Sequence, residues 1–166
     1  MTTTLIVPVI GSTEFPTAED GYWPISVPFG SGEIEVDFNS EGSEMTAPLL
    51  AKVEPFIRLL SEFDKAARSA ISSDFTRDED SPSHMYLSHH LDELDSEAVA
   101  QCFGPDGPYG LDQLLSALRL KRIGLYPEGD SYVATFDYTI DEDITQYILA
   151  IEFDAAGDVI SVSMDS

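Results

Sequence analysis

The chain is expected to fold as an α+β domain spanning residues 1–166, an antiparallel sheet with helices segregated to one of its sides. Two observations predict this. Apolar and polar residues alternate with a period of two near both ends of the chain, and the stretch between them carries apolar residues at three- and four-residue spacing. The sheet is therefore expected to join N-terminal strands to a C-terminal four-stranded meander, with three to four helices from the middle of the chain packed against it.

The elements follow in order. Leu5, Val7 and Val9 alternate with Ile6, Pro8 and Ile10 and predict a first strand. Trp23, Ile25, Val27 and Phe29 predict a second. Pro24 and Pro28 fall on its other face and mark it as an edge, because proline cannot donate to a ladder. Gly30-Ser31-Gly32 is a turn. Ile34, Val36 and Phe38 then alternate with Glu33, Glu35 and Asp37, which predicts one buried face and one acidic, solvated face. From Val53 to Ile71 an apolar stripe (Val53, Phe56, Ile57, Leu60, Phe63, Ala67, Ile71) predicts the main helix. Pro55 is expected in its first turn, with Pro48 to Val53 a separate lead-in.

The polar segment Ser73–Ser83 reads as a loop, and Ser81-Pro82 as the N-cap and first residue of a helix whose inner stripe is Leu87, Leu91 and Leu94. Short helices are expected over Ser96–Phe103 and Leu111–Leu118, separated by the breaker Gly104-Pro105-Asp106-Gly107-Pro108. Strands follow at Ile123–Leu125, Tyr132–Ile140, Tyr147–Asp154 and around Ile160–Val162, with Asp141-Glu142-Asp143 an acidic loop.

Charge is the other dominant feature. The formal net charge is −23; no Lys or Arg precedes Lys52 and none follows Arg122. Such a field repels nucleic acid and anionic membrane surfaces, so neither is an expected partner. It attracts a basic protein and raises its on-rate. Solubility and adaptation to a salt-rich cytoplasm are the unspecific alternatives. The 43% hydrophobic content, with nine Phe and seven Tyr, excludes a disordered acidic tail. No apolar run reaches the roughly 18 residues of a membrane span, residues 1–10 lack a basic signal-peptide start, and the single cysteine cannot form an intrachain disulfide. A cytoplasmic location is expected.

Signatures of chemistry are sparse. His84, His89 and His90 occupy one segment, but their spacing puts no two rings well on one helix face. His84 is expected at the packed boundary and His90 on an exposed face with Tyr86 and Glu93. His89, His90 and Glu93 are the candidate metal ligands, and a packed or solvated role is the competing reading for each. The breaker segment lacks the Lys-Ser/Thr of a phosphate loop, there is no Gly-x-Ser-x-Gly, and Cys102 reads as a small buried side chain. Arg119, Lys121 and Arg122 are expected to complement the C-terminal dipole of the preceding helix, with an anion-binding spot as the alternative.

The segments Arg122-Ile-Gly-Leu-Tyr-Pro127, Phe136-Asp-Tyr-Thr-Ile140, Tyr147-Ile-Leu-Ala-Ile-Glu-Phe153 and Ile160-Ser-Val-Ser-Met-Asp-Ser166 carry a resemblance. So do the helix around Phe63-Asp-Lys-Ala-Ala-Arg68 and the segment His89-His-Leu-Asp-Glu-Leu94. Together they resemble a bacterial family of small acidic proteins catalogued only as a domain of unknown function. That resemblance implies no catalytic residues. The functional expectation is a non-enzymatic acidic binding protein, of the kind an immunity-type inhibitor represents, that neutralises a basic partner protein and needs no cofactor. Its expected docking surface is Glu33, Glu35 and Asp37 with Asp141, Glu142 and Asp143. The alternative is a metal-dependent or histidine-based hydrolase built on His84, His89 and His90.

Overall fold

The computed structural model describes every residue, Met1–Ser166. It is an α+β fold. Strands β1 (Thr2–Val7) and β2 (Gly11–Pro16) form a separate two-stranded hairpin, and β3 (Tyr22–Phe29) and β4 (Gly32–Asn39) begin a six-stranded sheet. Five helices follow: α1 (Ala47–Arg58), α2 (Leu60–Arg77), α3 (Pro82–Glu93), α4 (Ser96–Phe103) and α5 (Leu111–Ala117). The sheet is completed by β5 (Arg119–Leu125), β6 (Ala134–Thr139), β7 (Ile148–Phe153) and β8 (Val159–Asp165), in the spatial order β3-β4-β5-β6-β7-β8. The last four strands are the expected meander. The β4–β5 pair alone is parallel, because the chain leaves β4 through all five helices and re-enters beside it.

Three boundaries differ from the sequence reading. The expected strand through Ile10 stops at Val7, and an unforeseen partner, β2, returns to it through Pro8-Val9-Ile10. Helix α1 starts at Ala47, capped by the Thr46 hydroxyl, and runs through Pro55 rather than beginning there. Pro55 removes the N–H that would bond the preceding turn, and the helix breaks at Leu59 (φ −112°, ψ 36°) before α2 starts. Helix α2 extends to Arg77 through most of the expected loop, because Ile71 and Phe75 continue its inner stripe beneath a polar exterior. Asp74 Oδ2 there accepts from the Ser83 N–H at 2.8 Å and ties α2 to α3, which the Ser81 hydroxyl caps as the sequence predicts.

One contiguous core fills the space between helices and sheet. Phe56, Phe63, Phe136 and Phe153 pack ring against ring with centroids 4.5–6.4 Å apart. The hairpin closes one end: Phe15 meets Trp23 and Phe38 edge-on, and the Trp23 indole donates to the Pro16 carbonyl at 2.6 Å. A partly buried polar joint fixes α2 to the sheet. The Tyr138 hydroxyl donates to Asp64 at 2.6 Å, and Arg68 pairs with Asp64 while donating to the Leu115 and Leu118 carbonyls. No helix is long and apolar enough to cross a membrane.

All helices lie toward the sheet face that carries Ile34, Val36, Phe38, Ile123, Phe136, Tyr138 and Ile151. The other face carries no helix, although Asp37, Asp137, Thr139 and Ala150 at its centre are buried. Across it the register lines up Ser26, Glu35, Arg122, Asp137, Ala150 and Ser163 in one row, and Pro24, Asp37, Gly124, Thr135, Glu152 and Ser161 in the next.

Candidate functional site

The helix-free face carries charged side chains from adjacent strands, among them Glu33, Glu35 and Asp37 of β4, Arg122 of β5 and Asp137 of β6. Alternation would set Arg119 and Arg122, three residues apart, on opposite faces of β5. A bulge between Leu120 and Arg122 instead sets Arg119 opposite Thr139 and Arg122 opposite Asp137, on the same side. Arg122 is thereby flanked by two carboxylates. Its Nη2 donates to Asp137 Oδ2 at 3.1 Å, and its Nε stands 3.6 Å from Asp37 Oδ2. Asn39 Nδ2 donates to Asp37 Oδ1 at 2.7 Å, while no hydrogen bond reaches the buried Asp37 Oδ2. Both aspartates are almost completely buried, at 2% and 4% exposure. Burial lifts the Asp137 carboxyl to about 6; the Arg122 guanidinium opposes this, and the charges of Asp37 and Asp165 add to it.

Tyr126 leans across this group. A Cβ at Gly124 would stand 2.9 Å from the Tyr126 hydroxyl, so glycine is what lets the ring lie there. Burial, then the nearby Asp37, raises the Tyr126 hydroxyl above its ordinary range. Tyr132 packs edge-on against it, 5.4 Å between centroids. Beside them Asn39, Ser40, Glu41 and Glu128 line a depression of about 230 Å³, and Glu128 accepts from the Ser40 hydroxyl and the Glu41 N–H. At the other end of the face Glu33, Glu142, Arg119, Lys121 and Thr139 line a second depression of about 200 Å³.

The six expected docking carboxylates therefore separate. Glu33 and Glu35 stand exposed on the open face, and Glu142 and Asp143 are exposed in the β6–β7 loop, with Glu33 and Glu142 meeting at one depression. Asp37 is a correction: its side chain lies under Arg122, Asn39 and Tyr126 and presents no charge outward. Asp141 is half-buried and builds the loop. Its Oδ1 accepts from the Asp143 N–H, its carbonyl accepts from Ile144 and Thr145, and Arg119 stands 4.0 Å away. The basic cluster is a second correction. Helix α5 ends at Ala117, and Arg119 to Arg122 already belong to β5, where Arg122 neutralises buried acid instead of capping a helix. The open face is thus a cationic rib between two acidic flanks.

The three histidines do not share one site: the His89 and His90 rings pack edge-on, 5.2 Å between centroids, while His84 stands apart. His90, expected on an exposed face, is 1% exposed, with Nδ1 2.7 Å from the Tyr86 carbonyl and Nε2 2.8 Å from Thr145 Oγ1. The neutral tautomer satisfies both contacts: Nδ1–H donates to the carbonyl and Nε2 accepts the hydroxyl proton. Burial lowers its basicity. Both nitrogens are occupied, so His90 offers no ligand atom; it latches α3 to the β6–β7 loop. His84 stacks on Phe75, and His89 lies against Tyr147. The structure does bring the three candidate ligands His89, His90 and Glu93 to one depression of about 370 Å³, which Thr145 and Tyr147 also line. No three His, Cys, Asp or Glu side chains stand close enough to hold one metal ion together. Cys102 is half-buried, and burial raises its thiol above the ordinary range.

Sequence reasoning missed Asn39, Tyr126 and Asp137 as parts of the charged face. Asp137 carried a signal, a carboxylate between Phe136 and Tyr138 where the same face otherwise holds the neutral Thr135 and Thr139. The bulge that brings Arg122 to it had none.

These features define an α+β protein with one helix-packed and one open, charge-patterned sheet face. No protein-family model, no curated protein and no solved structure matches the chain.

Proposed function

We propose that the protein is a non-enzymatic binding protein whose open sheet face docks a basic protein partner, in the manner of an immunity-type inhibitor. The observation that carries this reading is the placement of exposed Glu33 and Glu35 on β4 beside the Glu142-Asp143 loop, on a sheet backed by the whole core. A rigid support lets these carboxylates meet cationic side chains without an ordering cost. The net charge of −23 steers such a partner inward. Arg119 and Lys121, set between the acidic positions, fix register by repelling a misplaced cation. A hydrolase built on the histidines draws no support from a geometry in which His90 is committed at both nitrogens and His84 and His89 face different aromatic neighbours.

The test is affinity capture from the native cell with two double variants of equal charge change. Glu33→Lys/Glu35→Lys alters the open face, and Asp92→Lys/Glu97→Lys alters exposed positions on α3 and α4. The first is expected to lose a basic partner that the wild type and the second retain. Equal weakening by both would show that only the bulk field matters.

A further inference from the structure

The two edges of the six-stranded sheet are guarded unequally. On β3 the ladder to β4 runs unbroken past Pro24 and Pro28, so the donors those prolines lack are ones that would face outward. That edge cannot accept another strand in full. The opposite edge, β8, has no such device. Val159–Asp165 contains no proline, lysine or glycine, and its ladder partner is β7 alone. Beyond that ladder, neither turn and loop backbone bonds nor side chains satisfy the backbone of these residues. Helices α2 and α3 pack against β8, but a strand of this length whose outer backbone groups are unpaired is a template for further pairing.

We propose that β8 pairs antiparallel with β8 of a second copy, joining the two sheets across a two-fold axis. The occupant follows from the charge pattern. A contact between two chains of net charge −23 is opposed wherever it sets carboxylate against carboxylate. Self-pairing of β8 avoids this. With the axis at Val162, Asp165 faces Val159 and Asp158 faces Ser166; with the axis at Ser163, Asp165 faces Ser161. In neither register does an acid oppose an acid, and a two-fold contact needs just this kind of self-complementary strand. The side chains agree. Val162 and Met164 lie opposite Ile151 and Leu149 on the helix-bearing side, Ser161 and Ser163 share the open side, and a bulge between Glu152 and Phe153 leaves Ile160 45% exposed beside them. Pairing covers Ile160, extends the apolar row across the axis, and brings serine hydroxyls face to face.

Net repulsion between copies remains and is screened by salt, so this association strengthens as ionic strength rises. Docking of a basic partner responds in the opposite sense.

The test is sedimentation equilibrium of the full chain from micromolar to several hundred micromolar, at low and at about 0.5 M sodium chloride. The expected result is a concentration-dependent species of twice the 18.2 kDa chain mass, favoured by salt. Ser163→Glu, on the solvent side of the edge, adds a like charge to the contact in either register and is expected to weaken dimerisation at least tenfold while the thermal melt stays unchanged. Val162→Pro and Ser163→Pro are made as a pair. Adjacent strand N–H groups point to opposite edges, so one variant keeps the β7 ladder and removes an outward donor. That folded variant is expected to be monomeric. Three results would overturn the proposal: a single 18.2 kDa species under all conditions, a dimer that persists in folded Ser163→Glu, or a dimer lost on Val9→Glu at the hairpin tip.

Discussion

Arg122 is the residue on which the open face depends. It alone neutralises two carboxylates that the sheet has removed from water, and taking away one member of such a group leaves uncompensated charge behind. Arg122→Met is expected to destabilise the fold by about 2–3 kcal/mol near pH 7, at the low end because the guanidinium itself is partly solvated. The loss should shrink below pH 5, where Asp137 takes up a proton. The sign follows from linkage. Asp137 is raised from 3.8 to about 6, so between these values the native state holds a proton that the unfolded chain has lost. Its contribution to stability therefore falls as pH rises from about 4 to about 6. Denaturant titrations of wild type and Asp137→Asn should show the wild type losing stability relative to the variant across that window, and a flat difference would refute this account of the buried pair. His90 has the opposite sense. Burial lowers its affinity for protons, so the stability it contributes is full above about 6.5 and declines as pH falls below it. His90→Ala should cost about 2–4 kcal/mol of unfolding free energy, through the cavity and the orphaned Tyr86 and Thr145 contacts. A solvent-facing catalytic histidine could be removed at almost no cost in stability.

Elements were legible where local chemistry and period agreed. The Ser81-Pro82 start of α3, the bounds of α4 and the proline-marked edge of β3 could all be read because each rests on contacts within a few residues. The β1–β2 hairpin could not be read, since the turn signal of Pro8 is followed by two β-branched residues, Val9 and Ile10, that favour a strand. Val9 adopts φ +74°, in the position after proline where a type II turn calls for glycine, and is 66% exposed. Strain at a β-branched residue has no sequence signature. Val9→Gly should relieve it and raise stability by about 1 kcal/mol, a melting shift of about 2–4 °C. An unchanged or lower melting temperature would place the strain elsewhere. The far end of α2 was hidden for a different reason. A helix that presents serine, threonine and aspartate outward looks like a loop unless its buried stripe, Ile71 and Phe75, is followed to the end.

At the scale of the whole molecule, the α+β class and the four-stranded meander were readable from the ordering of periods along the chain. The parallel β4–β5 junction was not, because it depends on where five helices return the chain. The candidate site divides along the same line. Glu33 and Glu35 were legible from alternation alone, whereas the burial of Asp37 comes mainly from Arg122 and Tyr126, far along the chain, which no periodicity records. The global result is a protein with chemistry on two levels. Paired charge lies beneath the open face, and unpaired charge stands above it. A basic partner captured from the cell gives the most direct test of whether the upper level is a docking surface. Its affinity should be measured at low and moderate ionic strength for the wild type and for the Glu33→Lys/Glu35→Lys and Asp92→Lys/Glu97→Lys variants. Binding that weakens steeply with salt and is abolished only by the β4 changes is the predicted result. Affinity that is indifferent to salt, or equally reduced by both variants, would contradict a docking role for this face.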